Sequence, residues 1–218
     1  MCWNENVSLN TFLFSSFVLL LIIYNNTYTQ YKVKEFDDKW KYIFFASFIC
    51  MQLIEFFIWR NIYNKYYNNI FSISAILLLI IQPIFSLMII TSNIQLRNLM
   101  MSFYLLLAIP FSIYSFSTTH VYSTVSKNGH LQWNFFHFPS MDWIIWFIWL
   151  FFFLFSFVYE QKWIGISFGL ITLLISYINY KNDNSMASMW CWLVNSVMIY
   201  YAFYLLLYLP FIEKMDIC

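Results

Sequence analysis

The chain has 218 residues, of which 62% are hydrophobic and only 10% charged, whereas a soluble domain carries roughly 45 to 50% apolar and about 25% charged residues. That balance excludes an ordinary soluble fold, and eleven basic against ten acidic side chains, a formal charge of +1, leave no electrostatic footprint for nucleic acid. Aromatic residues make up 24% of the chain while glycine and proline are scarce, which suits a protein whose solvent is lipid tails and headgroups.

A helix needs roughly 20 mainly apolar residues to cross a bilayer, and fewer where flanking side chains snorkel. Seven stretches meet that need, at residues 7–24, 41–59, 70–90, 99–116, 141–159, 163–178 and 187–209. Only Glu160, Gln161 and Lys162 separate the fifth from the sixth, so these two form a tight helical hairpin. The first and sixth are short, which makes six spans plus one interfacial helix the rival count. The longest loops, 25–40 and 117–140, are too short for a soluble domain. The expected fold is all-α, an integral membrane bundle of about seven transmembrane helices. It forms a single transmembrane domain over 1–218, with the lipid bilayer as partner, no nucleic acid, and the oligomeric state left open.

Loop charge sets the orientation, because Lys and Arg are retained on the cytoplasmic side. With seven spans, Lys32, Lys34, Lys39, Lys41, Arg97, Lys162 and Lys214 share one side, and Arg60, Lys65, Lys127 and Lys181 the other. The N-terminus is therefore expected outside or in a lumen, and the C-terminus in the cytoplasm. No cleaved signal peptide is expected, since Glu5 and no basic residue precede the first apolar run. Indole rings favour the headgroup level; Trp59, Trp133, Trp190 and Trp192 are expected near the outer boundary, Trp40 and Trp163 near the inner one.

Within the second span, Glu55 is the one acid away from a span end, where a charge costs roughly 2.5 to 3.5 kcal/mol at mid-bilayer. Gln52, Glu55 and Trp59 share a helical face by their spacing, which predicts that this face looks into the bundle. Cys50, in mid-span, is expected to be a buried, inert small hydrophobe. In the third span, Gln82-Pro83 frees a backbone carbonyl. The fourth loop holds His120, His130 and His137, too widely spaced to form a ligand motif by themselves. In the seventh span, Ser188, Cys191 and Asn195 again share a face, where interhelical hydrogen bonds worth about 1 kcal/mol each are the plain expectation.

Parity joins these residues. Cys2, Glu55 near the end of span two, His130 in the fourth loop and Cys191 at the start of span seven all belong to the outer face of a seven-span chain. Thiolate, carboxylate and imidazole are the donor types of a transition metal such as zinc, and equally of a nucleophile with its base. In an oxidising exterior Cys2 and Cys191 can instead form a disulfide, so disulfide, metal site and free thiols stand as alternatives.

Met1-Cys2-Trp3, Gln52-Leu53-Ile54-Glu55 with Trp59, Gly129-His130, and Ser188-Met189-Trp190-Cys191-Trp192 together resemble an uncharacterised family of polytopic membrane proteins. Its bacterial members begin Met-Cys-Phe-Ser, carry Gln-x-x-Glu-Gly-x-x-Trp in the second span and end with Ser-x-Trp-Cys-Phe, and relatives occur in protists and large DNA viruses. The chain departs from the pattern at Trp3, Asn4 and Phe56. The resemblance implies a membrane-embedded fold and singles out the same polar positions without naming their chemistry. The resulting expectation is a multispanning protein with a small polar site at its outer face, formed by Cys2, Gln52, Glu55, His130, Ser188, Cys191 and Asn195, with a metal-binding, redox or enzymatic role. The alternatives are a small transporter or channel, and a structural protein of a viral or protist membrane.

Overall fold

The computed structural model describes residues 4–118, 121–134 and 142–211. Six single helices come first: α1 (Glu5–Tyr28), α2 (Lys39–Arg60), α3 (Lys65–Met88), α4 (Ile94–Thr118), α5 (Asp142–Tyr159) and α6 (Trp163–Tyr180). The last pass is composite, with α7 (Met186–Val194), α8 (Val197–Phe203) and a π-helical turn at Tyr204–Tyr208. Six of these passes are long and apolar enough to cross a membrane, and α5 is a shorter apolar seventh. Several helices extend beyond the apolar stretches because polar caps hold their first turns. The Asn4 side chain accepts from the Val7 amide at 2.9 Å and Asp38 accepts from the Trp40 amide at 2.7 Å.

Between α4 and α5 the chain folds into an antiparallel hairpin of β1 (Ser123–Val125) and β2 (Leu131–Trp133), with Ser123 opposite Trp133 and Val125 opposite Leu131. The hairpin docks on the starts of α3 and α7. Asn68 Nδ2 donates to the Ser123 carbonyl at 2.9 Å, the Ser72 and Ser123 hydroxyls are 2.8 Å apart, and the Ser188 hydroxyl donates to the Leu131 carbonyl at 2.6 Å. At the far end of α5, Glu160 accepts from the Ser92 hydroxyl beyond α3 at 3.4 Å. The starts of α3 and α7 thus lie toward the hairpin, and the ends of α3 and α5 lie together away from it.

Helix α2 is central, packed between α1 and α3. Its buried positions Phe44, Ser47, Phe48, Met51, Gln52, Glu55 and Ile58 recur every three to four residues, the period of a helix with one inward stripe. In lipid, close packing and interhelical hydrogen bonds hold helices together, and α3 meets α5 in this way: the Ser86 hydroxyl lies 2.6 Å from both the Phe153 carbonyl and the Ser156 hydroxyl. Pro83 cannot bond the Leu79 carbonyl one turn back, and the Trp149 indole donates to that carbonyl at 2.7 Å.

One expectation is corrected and another gains detail. Cys50 is exposed on the outside of α2, because the stripe through Met51, Gln52 and Glu55 turns it away from the interior. Trp133 and Trp190, expected at the boundary, are only 5% and 3% exposed. The hairpin carries Trp133 inward, and the Trp190 indole donates to the Gly169 carbonyl and Thr172 hydroxyl, both at 3.2 Å.

Candidate functional site

Gln52 and Glu55 are fully buried on the inward stripe of α2, one turn apart, and Gln52 Nε2 donates to Glu55 Oε2 at 2.8 Å. Glu55 sits five residues before Arg60, about 7.5 Å from the helix end at 1.5 Å per residue. The neighbouring stripe residues Met51 and Ile58 enter an apolar cluster with Ala75, Ile76 and Leu79 of α3, Leu131 and Trp133 of the hairpin, and Met189 and Cys191 of α7. Leu131 and Trp133 therefore cap this end of the bundle, and the Ser188 and Asn68 hydrogen bonds fasten the cap.

On the α7 side, Cys191 is buried and packs with Met51 and Ile58 of α2. The helix breaks one turn further on. The amides of Asn195 and Ser196 bond the carbonyls of Trp192 and Leu193, three residues back, each at 3.0 Å, rather than four back as in an α-helix. The Cys191 carbonyl, left without its backbone donor, accepts from Asn195 Nδ2 at 2.9 Å, and the same amide reaches the Phe48 carbonyl of α2 at 3.3 Å. Among the described residues, the buried amide oxygens Gln52 Oε1 and Asn195 Oδ1 find no hydrogen-bond partner.

The Gln52–Glu55 pair thus lies on the face of α2 that meets the last pass, where Cys191 packs with Met51 and Ile58 and Asn195 bonds the Phe48 carbonyl. Ser188 belongs to the hairpin fastening. His130 lies at the hairpin turn, opened by Gly129 at φ 77°, with its ring edge-on to Tyr180 at 5.1 Å between centroids. Burial lowers its pKa below the ordinary imidazole value, and the Asp183 charge works against that. Cys2, like His120 and His137, lies outside the described residues. Among the described residues no three His, Cys, Asp or Glu side chains gather as a metal requires. Of the expected metal set Cys2, Glu55, His130 and Cys191, the described members do not assemble around zinc, because the His130 ring packs against Tyr180 at the end of α6.

Sequence reasoning missed the hairpin cap. Its signal was present: short β-prone runs on either side of Asn128-Gly129, the dipeptide that favours tight hairpin turns. Thr11 of α1, which accepts from the Trp192 indole at 3.0 Å, carried no comparable signal.

A bundle of apolar helical passes enclosing a buried polar group defines an integral, multi-pass membrane protein. Comparison of the chain with family models, with curated proteins and with solved structures returns no match.

Proposed function

We propose that the chain is a small transporter of protons or monovalent cations, with its N-terminus outside or lumenal and its C-terminus cytoplasmic, and with Gln52, Glu55, Cys191 and Asn195 as its site. The buried Gln52–Glu55 pair on α2, beside a last pass that tightens at Asn195 and is tied to α2 through the Phe48 carbonyl, carries this reading. Irregular backbone at membrane depth is tolerated where protein encloses it or where it lines a polar path, and half-helix ends at such breaks coordinate ions. A carboxyl with the unpartnered amide oxygens of Gln52 and Asn195 supplies hard oxygen donors, which suit a proton or an alkali cation better than a soft metal. The lysines that follow the first pass support the orientation, and the resemblance in motifs around Gln52, Glu55 and Cys191 supports the choice of residues. A second reading, redox or metal chemistry, draws on the buried free thiol of Cys191 and requires Cys2 as a further ligand.

Proteoliposomes holding the purified full chain and an internal pH dye, driven by a proton or sodium gradient, test the proposal. Flux is expected in the wild type and lost in Glu55→Gln with the fold intact. No flux of either ion from folded wild type contradicts it, and zinc that copurifies and is lost in Cys191→Ser favours the second reading.

A further inference from the structure

Toward the opposite face, α5 leans on α3 while α6 follows α7, and a cleft of about 680 Å³ opens between them, within the range of roughly 300 to 1,000 Å³ typical of small-molecule sites. Its walls are aromatic: Phe44 and Phe48 of α2, Phe153 and Phe157 of α5, Phe168 of α6 and Trp190 of α7. These walls are firm, since Phe44 meets the rings of Phe153 and Phe157 at 5.3 and 5.2 Å, and Phe48 meets Phe153 at 5.6 Å. Gly165 and Gly169 also line it, and a Cβ at Gly169 would meet no atom within 4 Å, so the cleft reaches the α6 backbone.

The mouth is charged. Glu35, Lys41, Glu160 and Lys162 stand around it, with Lys41 ion-paired to Asp37. Lys41 to Phe48 and Glu160 to Phe153 each span seven residues, so the apolar walls run about 10 Å inward, less than half of a hydrocarbon core of roughly 30 Å. Beyond that depth α6 closes on α7, through the Trp190 indole on Thr172 and the Ser176 hydroxyl on the Met186 carbonyl at 2.6 Å. A transmembrane helix would need a groove along the whole bundle, whereas a molecule one leaflet long matches this one.

We infer that the cleft binds one zwitterionic glycerophospholipid of the leaflet at that face. Acyl chain lies along Phe44, Phe48, Phe153 and Gly169, phosphate faces Lys162 and Lys41, and the ammonium faces Glu35 and Glu160. Lys162 and the Asp37-paired Lys41 beside Glu35 and Glu160 put both signs of charge at the mouth, which complements a headgroup carrying both charges. This inference is independent of the ion-site reading.

The test reconstitutes the full chain in vesicles with a trace of phosphatidylcholine bearing a photoreactive acyl chain, or of phosphatidylglycerol bearing the same chain. Mass spectrometry then maps the labelled peptides. The choline lipid should label the segments around Phe48 and Phe153 several-fold more than the exposed α4 surface at Leu106, Ile109 and Ile113, and several-fold more than the glycerol lipid does. Gly169→Trp, which fills the cleft from α6, should remove the excess while helical content is kept, and Glu35→Lys with Glu160→Lys should turn the preference toward phosphatidylglycerol. Labelling no greater than at α4, or equal labelling by both headgroups in the wild type, overturns the inference. Should Gly169→Trp not fold, the wild-type comparison alone decides.

Discussion

Toward the hairpin face the bundle interior is polar and capped, with Gln52 bonded to Glu55 on α2 and Ser188 of α7 bonded to Leu131 of the hairpin. Toward the opposite face it is aromatic and open, with Phe44, Phe48, Phe153 and Trp190 around a cleft. The contrast follows from the solvent. A polar group in hydrocarbon must find partners inside the protein, so the polar half is tied together by hydrogen bonds between elements. Aromatic rings make no such demand, and their half can part and remain stable against lipid.

The largest expected effect that separates the halves is at Glu55. Replacing it by Leu leaves the Gln52 amide without its acceptor, a buried loss of about 1 to 3 kcal/mol, whereas Glu55→Gln retains a partner. Thermal unfolding in mild detergent should rank wild type close to Gln and well above Leu, and equal midpoints for all three would show that the polar half is not bound together by this pair. Phe153→Leu in the aromatic half should lower the midpoint less than Glu55→Leu does, since it trades ring contacts for a smaller apolar side chain and strands no polar group. The reverse order would break the comparison.

Asn195→Leu comes next. It strands the Cys191 carbonyl and removes the tie to Phe48, interhelical bonds of about 1 kcal/mol each, and amide exchange in α7 and α8 should quicken while α5 and α6 are unaffected. Quickened exchange in all four helices would show that the break is not a local feature.

The smallest effect concerns pH. Burial lowers the His130 pKa, so the folded hairpin prefers the neutral ring. Its stabilisation is fully present above the ordinary imidazole pKa of 6.5 and is lost as pH falls toward the lowered folded value. Hairpin exchange, corrected for the intrinsic pH dependence, should rise on acidification in the wild type and not in His130→Gln. The same rise in both would assign it to another group.

Much of the polar half was legible from spacing. Gln52 and Glu55 lie one turn apart on α2, and the same arithmetic puts Cys191 and Asn195 on one face of the last pass. The break at Asn195 was not legible, because no Gly or Pro marks it and its cause is a side-chain amide replacing a backbone donor across a tertiary contact. Burial of Trp133 and Trp190 was also hidden, since it depends on a docked hairpin and on a hydroxyl of a neighbouring helix. The cleft depends on α5 and α6 following different neighbours, which no local window of sequence records.

Infrared difference spectroscopy on the full chain in lipid nanodiscs, with pH and sodium varied in turn and Glu55→Gln as the reference, tests the ion-site account most directly. The account predicts a protonated-carboxyl band, absent from Glu55→Gln, that changes when the proton is released or sodium binds. A carboxyl band in the wild type that is identical to that of Glu55→Gln under every condition would contradict it.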